Sequence, residues 1–213
     1  MENLKNEAEK KSKIAIMLRG GTGVGKTTIA KALAKKLAKT VHIEQDKLRY
    51  MIVNGLVASR TGLPPGEYQE EYQRQCKLGD KNTIDLVRNF TEAGFIAIVD
   101  GFNGGESGDT FNYMKYPEAI KWYPEEKVIE ANLPDVTIHQ IVLDSNEIVL
   151  KKRLKEIKKW DKQVIDFILL QREIFQKAVS MTIVDLILDT SNKEIEECVD
   201  QIIAQFKLKE HVI

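Results

Sequence analysis

Gly20-Gly21-Thr22-Gly23-Val24-Gly25-Lys26-Thr27-Thr28 fits G-x-x-x-x-G-K-[ST], the Walker A loop that cradles phosphate. Its flanks fit as well. Before it runs Lys13-Ile14-Ala15-Ile16-Met17-Leu18, an apolar segment suited to a buried strand. After it, Ile29, Leu33 and Leu37 recur at helical spacing. Strand, glycine loop and helix is the order the chemistry requires. Glycines let backbone N–H groups converge on phosphate oxygens without side-chain clash, and the helix N-terminus adds a dipole that favours an anion. Gly21, Thr22, Gly23, Val24, Gly25, Lys26, Thr27 and Thr28 form the expected phosphate-binding set. Lys26 is suited to reach the β- and γ-phosphates, and the Thr27 hydroxyl to ligate Mg²⁺. ATP with Mg²⁺ is the expected ligand pair.

Composition narrows the class. The chain has 213 residues, enough for one sizeable α/β domain spanning 1–213. Its 32 Lys and Arg balance 32 Asp and Glu, which argues against a large nucleic-acid footprint but leaves room for a local basic channel. Cys76 and Cys198 have no zinc-ligand or C-x-x-C spacing and read as ordinary thiols of a reducing compartment. No apolar run is long enough to span a bilayer, and residues 1–13 are charged, without the apolar stretch of a secretory signal. A cytoplasmic protein with no membrane partner is the expectation. His42, His139 and His211 are not clustered, so each is expected to be structural or exposed rather than a metal ligand.

Strand-like and helix-like segments alternate, as in a parallel α/β architecture. Strands are expected over 13–18, 41–43, 95–99, 136–143 and 182–188. A helix is expected over 67–93, with Tyr68, Tyr72, Ile84, Val87 and Phe90 facing inward and Gly94 as its stop. Asp144-x-x-Glu147 predicts a capping box for a helix reaching about 158. Helix is also expected over 162–179, and at the C-terminal end Ile195, Val199, Ile202 and Phe206 share one face. Two stretches interrupt the alternation: 55–66, with Pro64-Pro65, and 101–134, with Phe102, Phe111, Tyr113, Tyr116, Trp122 and Tyr123. Both are read as substrate-side insertions, since loops leaving the C-terminal ends of parallel strands carry ligand sites. A small satellite core is the other reading of those aromatics.

The use made of the triphosphate is read from two further acidic strand ends. The apolar strand ending Val99-Asp100-Gly101-Phe102 lacks the adjacent Glu common in motor and switch ATPases. A second carboxylate follows the second strand, in Ile43-Glu44-Gln45-Asp46-Lys47-Leu48-Arg49. A substrate hydroxyl must lose a proton as it attacks phosphorus, and a carboxylate within hydrogen-bond reach can accept it. An Asp after a strand is also a favoured helix N-cap, which is the structural alternative for Asp46.

Walker A combined with Asp46-x-x-Arg49 and a strand ending in Asp100 resembles the small P-loop kinases: polynucleotide 5′-hydroxyl kinases, zeta-toxin and chloramphenicol phosphotransferases, and adenylylsulfate and gluconate kinases. The likeness extends through Asp144-Ser145-Asn146-Glu147 to Leu154, similar to the family's strand-to-lid-helix segment, and Asp189-Thr190-Ser191-Asn192, similar to its turn bordering the base. The resemblance implies a three-layer α/β sandwich with a five-stranded parallel sheet in the order 2-3-1-4-5 and a small mobile lid at about 155–162. It implies Asp46 as catalytic base, Arg49 as the grip on the acceptor, Asp100 as a Mg²⁺ holder through water or a sharer of the base role, and Lys26 and Arg153 as cations on the transferred phosphoryl group. Family members carry Arg-x-x-x-Arg in the lid; here Arg153 matches the first and Ile157 occupies the second. Lys155, Lys158, Lys159, Lys162 and Arg172 are the candidates to replace it. Three functions stay open: a kinase acting on the hydroxyl of a small molecule or nucleotide-like acceptor, a polynucleotide 5′-hydroxyl kinase acting on a nucleic-acid end, and a regulatory module that hydrolyses ATP slowly.

Overall fold

A computed structural model describes residues 13–57, 67–101, 132–179 and 184–213. Its strands are β1 (Lys13–Arg19), β2 (Thr40–Glu44), β3 (Ile96–Asp100), β4 (Val136–Asp144) and β5 (Leu186–Asp189). They form one sheet in the order β2-β3-β1-β4-β5, every pair parallel. The helices are α1 (Lys26–Lys36), α2 (Gln45–Arg49), α3 (Glu67–Glu92), α4 (Glu147–Glu156), α5 (Lys162–Val179) and α6 (Ile195–Gln205). This is the expected architecture and strand order.

Alternation along each strand divides the core into two layers. Ile14, Ile16 and Leu18 of β1, Ile96 and Ile98 of β3, and Ile141 and Leu143 of β4 meet α1, α4, α5 and α6 on one face. Ala15, Met17, Ala97, Val99 and Ile43 point to the other face, where Ile84, Val87 and Phe90 of α3 cover them. A chain this apolar along its central strands is buried on both sides, hence continuous apolar runs in β1 and β3. No helix among the described residues is long and apolar enough to cross a membrane.

Boundaries differ from expectation for local reasons. Gly94, at φ 80°, ends α3 as expected, and Phe95 is spent in the turn, so β3 begins at Ile96. The cap of α4 is Asn146, whose side chain accepts from Val149 N at 2.9 Å, not Asp144. The Asp144 carboxylate is instead held side-on by Arg172, with Nε and Nη2 each at 3.0 Å, and by Gln176 at 2.6 Å. The last strand begins at Leu186; Thr182 and Ile183 lie outside the described residues. So do most of both insertions, including the aromatics from Phe102 to Tyr123, and the side chain of Tyr68. Among the described residues a capping box sits at α6, where Glu194 N donates to Glu197 at 2.8 Å.

His139 of β4 shows how the α6 side of the core responds to pH. Its ring stacks on Phe206 with centroids 4.2 Å apart. Burial holds the imidazole below its ordinary value of 6.5, and Asp185 only partly opposes this. The unfolded chain therefore takes up a proton that the folded site resists. Stability is full above pH 6.5 and falls as pH drops through the folded value. His139→Gln is expected to show a smaller loss of Tm between pH 7 and pH 5 than the natural chain, as read by thermal denaturation.

Candidate active site

The loop between β1 and α1 is shaped by two glycines in particular. At Gly20, φ is 135° and an added Cβ would lie 2.2 Å from the Leu143 carbonyl oxygen. At Gly25, the N-cap of α1, φ is 101°. Neither backbone suits an L side chain. Gly20→Ala is expected to cost more than about 2 kcal/mol of stability, measured by urea unfolding, because the obstacle is backbone rather than a movable side chain.

Lys26 opens α1 and turns back over the loop, its Nζ donating to Gly20 O at 2.9 Å and Gly21 O at 3.0 Å. Burial pushes its ammonium below the ordinary lysine value; the carboxylates of Asp100 and Asp46 oppose that shift, and the like charge of Lys158 adds to it. These four side chains thus share one electrostatic environment. They also share one cavity of about 500 Å³, rimmed by the loop from Thr22 to Thr28, Gly101, Arg153, Ile157, Thr190, Lys193, Ile195 and Cys198. The volume falls in the range of small-molecule sites.

The sheet order and α3 position the carboxylates. β2 lies beside β3, with Glu44 paired to Asp100 and His42 to Ile98. Alternation puts His42 and Asp100 on the same face, and His42 Nε2 lies 2.9 Å from Asp100 Oδ2, both side chains largely buried. Expected to be merely structural or exposed, His42 fixes the orientation of Asp100. The signal for it was the period-2 parity of two neighbouring strands. Asp46 sits in the first turn of α2, whose N-cap is Glu44, so Asp46 does not close the helix and the capping alternative fails. Gln45 hydrogen-bonds Asp80 of α3, which ties α2 to the long helix.

Arg49 is placed elsewhere. Its Nη1 donates to Val57 O at 2.8 Å, and its guanidinium lies 4.9 Å from the Tyr72 ring centre and 5.3 Å from that of Tyr50. It is buried and does not line the cavity. Gln75 braces the same segment, donating to Gly55 O at 2.7 Å and accepting from Val57 N at 3.0 Å. Lys26, Asp46, Asp100 and Arg153 are thus brought together, and Arg49 stands behind them. Gly21, off the cavity wall, contributes its carbonyl to Lys26.

Arg153 of α4 reaches the cavity held by Thr190: Nη1 donates to Oγ1 at 3.0 Å and Nη2 to the carbonyl at 2.6 Å. Thr190 itself is buried, its hydroxyl 2.9 Å from Val24 O and 3.0 Å from Asp144 O. One threonine therefore links the loop, the end of β4 and the α4 arginine. Sequence spacing could not show this, because the three segments meet only once β4 and β5 are paired.

The donor set fits Mg²⁺ and a triphosphate. Among the described residues no cluster of three or more His, Cys, Asp or Glu could cage a metal. A hydroxyl at Thr27 and an oriented carboxylate at Asp100 on one cavity wall suit an ion that takes one or two protein ligands and completes its shell with phosphate and water.

The Zeta toxin family model matches residues 1–78, which include the glycine loop, Asp46 and Arg49. No curated protein gives a significant match. Among solved structures, the tunicamycin resistance protein of Deinococcus radiodurans aligns at 21% identity with TM-score 0.51, covering 90% of this chain and 94% of its own. A candidate kinase from Chloroflexus aurantiacus aligns at 15% identity with TM-score 0.54, covering 93% and 98%. Over its first 78 residues the chain is similar to the Zeta toxin family, and its five-stranded parallel sheet in the order β2-β3-β1-β4-β5 gives it the fold of the small P-loop kinases.

Proposed function

We propose that the protein is an ATP-dependent phosphotransferase that moves the γ-phosphate to a hydroxyl of a small-molecule or nucleotide-like acceptor. The observation that carries this reading is the carboxylate of Asp46 on the wall of the cavity that also holds Lys26, Asp100 and Arg153. A nucleotide switch has no need of a base on the acceptor side. The reading takes the whole of 1–213 as one cytoplasmic domain, with the turn after α4 as its lid.

In this mechanism the loop amides and the N-terminus of α1 bind the phosphates. The acceptor oxygen attacks the γ-phosphorus, the bond from that phosphorus to the β-bridging oxygen breaks, and ADP leaves. Asp46 receives the acceptor proton. Lys26 and Arg153 offset charge on the transferred group. Thr27 and Asp100 would hold Mg²⁺, which when bound neutralises charge on the β- and γ-phosphates. Arg49, one helical turn beyond Asp46, stands behind the cavity with its guanidinium on Val57 O and would serve as the acceptor-side cation once that bond opens.

The test is transfer from γ-labelled ATP with Mg²⁺ to separate acceptors: nucleosides, hydroxylated small molecules and a 5′-hydroxyl oligonucleotide. Label on a small acceptor, with turnover that rises when acceptor is added, is expected. Label on the oligonucleotide alone would make the protein a polynucleotide kinase. Phosphate release at one rate with or without acceptor would mean that water is the acceptor and would remove the transferase reading.

A further inference from the structure

The lid turn offers a cation where the second lid arginine is missing. The C-cap of α4 is Ile157, whose side chain is exposed and cannot donate a hydrogen bond. The chain then turns through Lys158, whose N–H donates to Arg153 O at 3.3 Å, and Lys159, at φ 54°. Trp160 N donates to Leu154 O at 3.3 Å, and the Trp160 side chain packs against the core. Both ends of the turn are therefore tied down, and the cation between them that lines the cavity is Lys158.

The other candidates are accounted for by their contacts. Arg172 is held by Asp144, Lys162 pairs with Asp166 one turn along α5, and neither lines the cavity, nor do Lys155 and Lys159. Among the cations that do line it, Lys26 is bonded to loop carbonyls, Arg153 to Thr190 and Lys193 to Gln201 at 2.9 Å. Among the described residues the Lys158 ammonium has no such partner.

We propose that Lys158 is the second lid cation, a catalytic residue that meets the γ-phosphoryl group as its charge is redistributed during transfer. This rests on the phosphotransferase reading above. The effect of its charge on Lys26 agrees with its facing the loop. A lysine serves here as a point charge where an arginine would offer a two-pronged fork. It tracks charge that moves between oxygens and demands no fixed pair of them.

The test compares Lys158→Ala, Lys158→Arg and Lys155→Ala with the natural chain by calorimetric titration of MgADP, alone and with aluminium fluoride as a mimic of the phosphoryl group in flight. MgADP alone is expected to bind all four alike, and aluminium fluoride to tighten binding to the natural chain. Lys158→Ala is expected to lose roughly 100-fold of that tightening, with a similar fall in kcat and an unchanged KM for ATP. Lys158→Arg should restore it and Lys155→Ala should keep it. Full tightening in Lys158→Ala would overturn the proposal while leaving the transferase reading standing. Equal losses in Lys158→Ala and Lys155→Ala would also overturn it, as an effect of surface charge. No tightening in the natural chain would overturn the transferase reading, and the proposal with it. Lys158 is exposed, so a folding defect does not cloud the comparison.

Discussion

Replacing Lys26 with alanine is expected to leave a folded protein whose phosphate transfer falls by at least about 100-fold. The fold survives because the side chain holds up no core: its contacts are two bonds to the carbonyls of Gly20 and Gly21. Both glycines are partly exposed, so their carbonyls can turn to water and the stability loss should stay near about 1 kcal/mol. Catalysis has no such substitute. Lys26 is a charge kept in a partly desolvated place, with Asp100 and Asp46 opposing the burial that depresses its pKa. A group held this way interacts more strongly with developing negative charge than one in bulk water. The α1 N-terminus still binds phosphate in the variant, so nucleotide affinity should fall less than turnover does. A thermal melt and a label-transfer assay on the same preparation check both halves. Transfer at the natural rate would remove Lys26 from the mechanism; collapse of the melt would mean that the lysine is structural.

How far the chain could be read before folding depends on how local each signal is. The glycine loop, β1 and α1 are contiguous, so a nine-residue pattern with its flanks carried both the loop and its place in the sheet. The double burial of β1 and β3 was legible because strands covered on both faces must be apolar throughout. The misses share a cause, which is a polar side chain whose partner lies far along the chain. Asp144 looked like a cap from its spacing to Glu147, but Arg172, 28 residues on, takes its carboxylate. His42 reads from the sequence as structural or exposed, but its partner was hidden until β2 was set beside β3, where Asp100 is 58 residues away in sequence. Thr190 and Arg153 meet across 37 residues. Arg49 is the reverse case: its neighbour Asp46 reaches the cavity, while its own guanidinium is drawn to Tyr72 and the Val57 carbonyl. Local patterns fix elements and loops; the charge partners that tune a site wait on topology.

Asp46→Asn is expected to retain nucleotide binding and to lower transfer by about 100- to 10,000-fold. The substitution keeps the size of the side chain and removes only its ability to accept a proton. α2 should be unaffected, since its N-cap is Glu44 and the tie to α3 runs through Gln45 and Asp80. Removing one negative charge from a cavity built for polyphosphate should, if anything, tighten ATP binding. It also removes one of the two carboxylates that oppose the burial-driven fall in the Lys26 pKa, so the lysine of the variant should lose its proton more readily. The natural chain and the variant should therefore differ in two ways: in rate at neutral pH, and in the alkaline limb of nucleotide affinity, which should begin at lower pH in Asp46→Asn. A rate loss without the shift of the alkaline limb would support Asp46 as base while denying its coupling to Lys26. A variant with normal turnover would leave the base to Asp100, whose carboxylate is already engaged by His42. In that event His42→Asn should abolish transfer as Asp46→Asn had not, because the reoriented Asp100 would lose its aim at the acceptor.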